Sequence, residues 1–353
     1  YTSQFNFYKK ESEKDSTFKY LRLIYREVST QRTESYKFKL KLNGEYYRMG
    51  GSFYSYQEFD SSLVYLDSCV ALSMEIKDVK RLGSSIAIVS YILGIQERFE
   101  ELLDLNKRVL DFAHSIRDSS LMARTKIGIT YLYDNTGEYD KAIEVNDELL
   151  KNYLNVMSDQ YEEKIYTNQS YFFYEKGDYL NAVKYGLRAL EMNPESPGTL
   201  YNLGDAYLAA YKDSTIDQEE ILIQIVSDES IKKNLKNGEA KDQVLNLAKG
   251  FYEKSLNLLE LKKDNKNLIH PHNGLGDYYY IKGIEAKVVY HYEKAWDYSE
   301  GVNVPLKDQL RVSRRLYALY RKKPRSSTKA LYWLEVTDSL EKEQLTQNNQ
   351  KEL

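Results

Sequence analysis

The sequence has very little cysteine and no long apolar run. Cys69 is the one cysteine among 353 residues, which excludes an internal disulfide and any metal site built from several cysteines. No stretch approaches the roughly 18 consecutive apolar residues that indicate a membrane-spanning helix. We therefore expect neither a disulfide-stabilised domain nor a membrane span within this chain.

An excess of charge of either sign is also missing. The chain has 50 basic and 53 acidic residues, a formal net charge of −3. This balance offers no general electrostatic attraction to a nucleic acid or to an acidic membrane surface. We expect no direct binding of nucleic acid.

Sequence motifs of catalysis are absent too. The chain has no HExxH, no GxxxxGK[ST] and no GxSxG motif. His270 and His272, on either side of Pro271, form the one close histidine pair. They would hold a metal only with an acidic partner from elsewhere in the chain, and the favoured alternative is that they cap the helix beginning near Asn273. We therefore predict no enzyme activity, no cofactor and no metal.

What the sequence does contain is a repeat of 40 residues. An aromatic residue follows a turn signature at a constant spacing, and a small or apolar residue comes three positions later. The aromatic residues are Phe59, Phe99, Tyr139 and Tyr179, and the later residues are Ser62, Leu102, Ala142 and Ala182. Four recurrences at one spacing predict stacked helical hairpins.

One hairpin is especially clear in the stretch 166–207. Gly177 ends its first helix, Ala182 and Ala189 share one face of its second helix, and Pro194 stops that helix. This stretch resembles a tetratricopeptide (TPR) repeat, and the similarity extends over roughly residues 36–340. The resemblance implies an all-α, right-handed TPR superhelix of about six to seven hairpins, whose usual role is non-enzymatic binding of a protein or peptide.

The fifth hairpin is interrupted. Its first helix begins around Leu203-Gly204-Asp205-Ala206-Tyr207, but its second helix is expected only at Ala248. The extra residues predict two short helices, over 217–226 and 228–238. Two alternatives stay open for this insertion, namely a solvated elaboration or a role in binding or homodimerisation.

These patterns divide the chain into five regions. Residues 1–35 are predicted as a helical cap with a helix over 18–28, and residues 36–211 as regular hairpins. The helical insertion spans 212–246, and further hairpins follow over 247–345 with a last helix over 330–344. Residues 346–353 form a polar tail.

The TPR resemblance implies that the first helix of each hairpin lines a concave groove. Three tyrosines recur there, one per repeat, at 91, 131 and 171, and tyrosine suits a ligand-facing surface. The alternative is that these aromatic residues only pack the helices together. The predicted groove residues are Tyr91, Tyr131, Tyr171, Tyr174, Tyr201, Asp205, Asn273, Asp277 and Tyr280.

A cationic stretch lies near the end of the chain. Residues 309–334 contain no acidic residue before Glu335, and this basic patch either docks an acidic partner or is neutralised by acidic residues of neighbouring helices. Its members are Arg311, Arg314, Arg315, Arg321, Lys322, Lys323 and Arg325, with Lys329 beyond them.

The last predicted helix adds a second resemblance. It contains Asp338-Ser339-Leu340 and is followed by polar residues, which is similar to the extracytoplasmic sensor regions of certain Bacteroidetes TPR regulators. That resemblance implies ligand sensing in a larger bacterial signalling or transcriptional regulator, and it favours a periplasmic location over a cytoplasmic one. The alternative function is a structural scaffold that assembles through the insertion or the basic patch.

Overall fold

A computed structural model describes residues 35–157, 159–223, 237–299, 306–323 and 325–351, together with Lys19, Arg22, Leu23 and Arg26. The described residues form α-helices and short 3-10 turns, without a β-strand among them. Most of the predicted cap over 1–35 lies outside the described residues, although those four residues are helical. The prediction of an all-α hairpin fold is confirmed.

The chain divides into two compact units, residues 1–157 and 158–353. Consecutive helices of the first unit pack as three hairpins. Its described helices are α1 (Tyr36–Ser55), α2 (Phe59–Ile76), α3 (Val79–Ile95), α4 (Phe99–Ile116), α5 (Ser119–Thr136) and α6 (Tyr139–Asn152), and a 3-10 turn follows at Leu154–Val156.

The second unit contains four hairpins, and α9 pairs with α11 across the insertion. Its described helices are α7 (Asp159–Glu175), α8 (Tyr179–Met192), α9 (Pro197–Lys212), α10 (Gln218–Ile223), α11 (Asn237–Lys262), α12 (Ile269–Ile281), α13 (Glu285–Ser299), α14 (Leu306–Tyr320) and α15 (Ser327–Lys351). A 3-10 turn at Asn265–Asn267 precedes α12.

One backbone conformation recurs with the 40-residue period of the sequence. The turn inside each of the first four hairpins contains one residue with positive φ: Gln57 (61°), Glu97 (57°), Gly137 (72°) and Gly177 (79°). This left-handed conformation ends the first helix and reverses the chain, and the second helix then begins at the repeated aromatic residue. The side chains three positions later are fully buried between helices.

In the second unit, glycines allow two tyrosine rings to pass between helices. A Cβ atom on Gly274 of α12 would lie 2.1 Å from the ring of Tyr252, and one on Gly204 of α9 would lie 2.6 Å from the same ring. A Cβ atom on Gly276 would lie 2.3 Å from the ring of Tyr292. Only glycine leaves room for such contacts, so these positions fix where the tyrosine hydroxyls point.

The insertion and the C-terminal end differ in detail from the predicted boundaries. Helix α10 buries Ile221 and Leu222 in the core, so this part of the insertion is packed rather than solvated. Helix α11 begins at Asn237 rather than at Ala248. The helix expected over 228–238 lies mostly outside the described residues. The last helix runs to Lys351 and includes most of the polar tail.

Candidate functional site

Side chains from the first helices of the four hairpins in the second unit converge on one another. Arg315 of α14 donates from Nε and Nη2 to the two carboxylate oxygens of Asp277 on α12, each at 2.6 Å. Arg311, one turn earlier, donates to the Tyr174 hydroxyl of α7 at 3.4 Å and lies 3.7 Å from Asp205 of α9. Helix α14 thereby connects α7, α9 and α12.

Each of the two aspartates is also held by a tyrosine from a second helix. The hydroxyl of Tyr252 donates to Asp205 Oδ1 at 2.6 Å, and that of Tyr292 donates to Asp277 Oδ1 at 2.6 Å. Sequence reasoning missed these tyrosines as members of the site. A signal for the arrangement exists, because Leu-Gly-Asp-x-Tyr occurs at both 203–207 and 275–279.

Neighbouring charges and burial shift the pKa values of Asp277 and Tyr174 in this network. Burial by itself would raise the pKa of Asp277, but Arg315 and Lys212 hold it well below its usual range. The carboxylate of Asp205 and burial together raise the pKa of the Tyr174 hydroxyl to about 12. At neutral pH Asp277 is therefore charged, while Tyr174 keeps its proton.

These side chains surround a cavity of about 350 Å³. Three cationic and three anionic side chains line it, so its formal charge is balanced. The lining residues are Tyr174, Tyr179, Asp205, Leu208, Ala209, Lys212, Asp213, Asp277, Arg311 and Arg315. We call this space the inner cavity.

The two arginines of the inner cavity differ in how many of their donors are used. Arg315 engages both oxygens of Asp277. Arg311 has the same five N–H donors, yet its contacts with described residues involve only Nη2 and are long. The Nε and Nη1 donors of Arg311 have no acceptor among the described residues. Arg311 is thus the arginine of the inner cavity with capacity to bind a ligand.

The predicted groove residues fall into several environments. Tyr174, Asp205 and Asp277 line the inner cavity together with Arg311 and Arg315 of the predicted basic patch. Groove residues and members of the basic patch, which the sequence predicts as separate surfaces, thus meet in one network.

Other predicted groove residues of the second unit lie outside the inner cavity. Tyr171 accepts a hydrogen bond from Lys307 at 3.1 Å, and Tyr201 stacks on His270 with ring centroids 4.6 Å apart. Tyr280 is half exposed and accepts a hydrogen bond from Lys322. Asn273 is 3% exposed and its Oδ1 has no hydrogen-bond partner in the described structure.

Two of the three tyrosines that recur once per repeat belong to the first unit. Tyr91 and Tyr131 are 39% and 43% exposed. The ring of Tyr91 packs edge-on against Tyr54, with centroids 5.7 Å apart, and the ring of Tyr131 lies against Gly94. Both rings therefore combine a packing contact with an accessible face.

Most cations of the predicted basic patch have carboxylate partners on other helices. Arg314 pairs with Glu341 at 2.8 Å, Lys323 with Glu285 at 2.6 Å and Lys329 with Glu293 at 3.4 Å, in addition to the two aspartate pairs of the inner cavity. Arg321 lies over the ring of Tyr317. These contacts favour neutralisation within the chain over an unpaired basic surface.

The histidines at the start of α12 face different partners. His272 and His291 place their Nδ1 atoms 3.0 Å apart in a buried pair, while His270 stacks on Tyr201 as described above. Within the described ranges no group of three or more His, Cys, Asp or Glu side chains is arranged to hold a metal. Among the same residues, no helix is long and apolar enough to cross a membrane.

No protein-family model matches the sequence, and no curated protein matches it at a significant level. The apo form of RapI is similar in structure, with 13% identity, 84% of this chain and 95% of that chain covered, and a TM-score of 0.55. BtubC from P. vanneervenii has 15% identity, coverage of 70% and 92%, and a TM-score of 0.46. A monomeric mutant of IFIT1 with m7Gppp-AAAA has 14% identity, coverage of 95% and 76%, and a TM-score of 0.47.

The likeness to RapI concerns the fold alone, because the sequence identity is low. The other two similarities are too weak to support an argument. The helical hairpins and this likeness together show that the chain has a TPR-like helical repeat fold.

Proposed function

We propose that the second unit binds an extended peptide segment of a partner protein in the inner cavity. The observation that supports this most is the pairing of a charge-balanced lining with the unused donors of Arg311. An extended main chain presents alternating N–H donors and carbonyl acceptors and carries no net charge. Arg311 would donate to a carbonyl of the peptide, and Asp213 at the rim would accept from an N–H group.

We propose in addition that the chain acts without catalysis. The strongly perturbed carboxylate, Asp277, is engaged by Arg315, Lys212 and Tyr292. An acid held this firmly in its charged form is a poor proton donor or acceptor near neutral pH. This geometry supports a structural and ligand-positioning role for the network.

Selection of peptides tests the proposal. Random linear peptides displayed on phage are selected on the intact protein, and the affinity of enriched synthetic peptides is measured by fluorescence polarisation. We expect Arg311→Gln to weaken binding by about ten-fold, because hydrogen bonds to a charged group are lost. Arg311→Lys keeps the charge and loses the planar fork, so we expect an intermediate affinity.

Arg314→Gln is the matched control. Arg314 lies on the same helix and pairs with Glu341 outside the inner cavity, so its replacement should leave the affinity unchanged. Equal affinity of the Arg311 and Arg314 variants, with circular dichroism showing both folded, would contradict the proposed site. Failure to enrich any peptide would contradict the proposed ligand class.

The biological setting we propose is the ligand-sensing region of a larger, extracytoplasmic TPR regulator. It is supported by the resemblance carried by Asp338-Ser339-Leu340, which lies within α15. The full-length gene product tests it: a membrane helix and an output domain encoded beyond Leu353 would support this setting. A gene that ends at Leu353 would contradict it.

The scaffold alternative has less support. The described part of the insertion buries Ile221 and Leu222 in the unit's own core, and the ion pairs above occupy much of the basic patch. Homodimerisation through the insertion over 212–246 stays a prediction, and residues 224–236 of that insertion lie outside the described residues.

A further inference from the structure

The first unit contains a second cavity that the proposed peptide site does not use. It has a volume of about 410 Å³ and lies between α2, α3 and α4. The α3/α4 hairpin is the least closely packed of the seven, which leaves this space open. We call it the outer cleft.

The floor of the outer cleft is apolar. Five aliphatic side chains from all three helices form it, and each is at most 6% exposed. They are Leu63, Val70, Val89, Leu93 and Leu105. A ligand that covers this floor removes apolar surface from water and gains roughly 25 cal/mol per Å² buried.

The rim of the outer cleft is acidic. It carries Asp67, Glu100, Glu101 and Asp104 against Arg98 and Arg108. Arg98 is committed to Glu101 through two hydrogen bonds of 2.6 and 2.7 Å, and Arg108 lies 3.7 Å from Asp104. These two pairs leave the rim with an excess of two negative charges.

Two carboxylates of the rim, Asp67 and Glu100, have no hydrogen bond or ion pair with any described residue and are available to a ligand. The pKa of the Asp67 carboxyl is raised by the loss of water on its side facing the cleft, and Arg108 opposes this only partly. An incoming cation would therefore meet a carboxylate that lacks a partner.

We propose that the outer cleft binds a lysine side chain of a partner polypeptide. A lysine joins a compact ammonium group to an apolar four-carbon stem, and the stem can lie along an apolar surface while the ammonium meets a carboxylate. The floor matches the stem and Asp67 matches the ammonium. The surrounding space accommodates an apolar neighbour of that lysine on the same partner. This inference does not depend on peptide binding in the inner cavity.

A pair of small probes tests the chemistry on the full chain. n-Butylammonium and 1-butanol share the apolar stem and differ in charge. We would follow the methyl NMR signals of Leu63, Val70 and Leu93 during titration with each probe. We expect saturable shifts with both and an affinity about five-fold higher for the ammonium.

Asp67→Asn should remove the preference for the ammonium while keeping the shifts caused by the stem. Asp67 is exposed, so the variant should fold. A methyl spectrum of the variant that matches that of the original protein, both without probe, would establish this. Asp111→Asn, an exposed acid on α4 that does not line the outer cleft, should keep the preference.

Three results would overturn the proposal. They are an equal response to both probes, the absence of saturable shifts at the floor methyl groups, and a preference for the ammonium that survives Asp67→Asn. Self-association that disappears in Asp67→Asn, measured by analytical ultracentrifugation, would assign the outer cleft to a second copy of the chain and would also overturn it.

Discussion

The inner cavity of the second unit and the outer cleft of the first are similar in volume but opposite in construction. In the inner cavity Asp205 and Asp277 are each matched by an arginine from another helix and a tyrosine hydroxyl. In the outer cleft an apolar floor lies beneath a rim with an excess of negative charge. The ion pairs of that rim join residues three or four positions apart in the chain, Arg98 with Glu101 and Arg108 with Asp104. The first arrangement holds helices together, whereas the second leaves a charge for something else to neutralise.

The difference matters for stability because mutation of a buried ion pair is expected to change the free energy of unfolding far more than mutation of an exposed carboxylate. Removing one member of a buried pair leaves the other uncompensated. Removing an exposed acid usually changes little.

We expect Asp277→Asn to lower the free energy of unfolding by about 3 kcal/mol, because the largely buried Arg315 would lose its carboxylate partner. The matched change in the first unit, Asp67→Asn, should alter it by no more than about 0.5 kcal/mol. Urea denaturation and hydrogen exchange of the α12 and α14 amides measure both. Similar effects of the two substitutions would remove the distinction between the cavities.

We expect the second unit to lose stability as the pH falls. Burial lowers the pKa of His272 to about 3 and that of His291 to about 4, and protonating both would place two N–H donors against each other. Because the unfolded chain titrates near 6.5, it binds more protons than the folded chain between about pH 6.5 and 4. The free energy of unfolding should therefore fall as the pH drops through that window.

Replacing His291 with Phe tests the source of this pH dependence. The slope of unfolding free energy against pH in the same window should flatten in His291→Phe. A slope that persists would show that other groups cause it. The described residues of the first unit contain no such histidine pair, so hydrogen exchange of α1 to α5 should change less over this range.

Packing around Tyr252 gives a smaller effect. We expect Gly274→Ala to destabilise the second unit by about 2 kcal/mol, since the new methyl group would overlap the tyrosine ring. Gly250→Ala, on α11 with open space around it, should instead stabilise by about 0.5–1 kcal/mol. Thermal denaturation of both variants measures the difference, and a loss of stability in each would argue against this specific contact.

The smallest effect is expected at the exposed tyrosines of the first unit. Tyr131 is 43% exposed, so Tyr131→Ala should lower the free energy of unfolding by roughly 1 kcal/mol or less, below the cost of truncating a buried aromatic residue. Urea denaturation measures it. A loss as large as that of Asp277→Asn would show that Tyr131 is a core residue.

The sequence was sufficient to predict the repeated hairpins because each one is specified locally. The turn residue that adopts positive φ, the aromatic residue that starts the second helix and the small residue after it all lie within a few positions, as at Gly137, Tyr139 and Ala142. Such short-range signals survive without knowledge of how distant helices meet.

The inner cavity was only partly predictable, because its contacts join distant residues. Asp205 and Asp277 were predicted as groove residues, and Arg311 and Arg315 as part of a basic patch. No local signal shows that Arg315 pairs with Asp277, which lies 38 positions earlier in the chain. Tyr252 was hidden by the insertion, which places it 47 positions after the aspartate it binds. No sequence motif predicts the outer cleft, because the cleft results from the loose packing of the α3/α4 hairpin.

Hydrogen exchange with a selected peptide bound shows whether the peptide occupies the inner cavity. If the peptide lies in the inner cavity, exchange should slow in three of the helices that line it, α7 (Asp159–Glu175), α9 (Pro197–Lys212) and α14 (Leu306–Tyr320). This protection should be lost in Arg311→Gln. Protection confined to the first unit, or unchanged in Arg311→Gln, would contradict the claim.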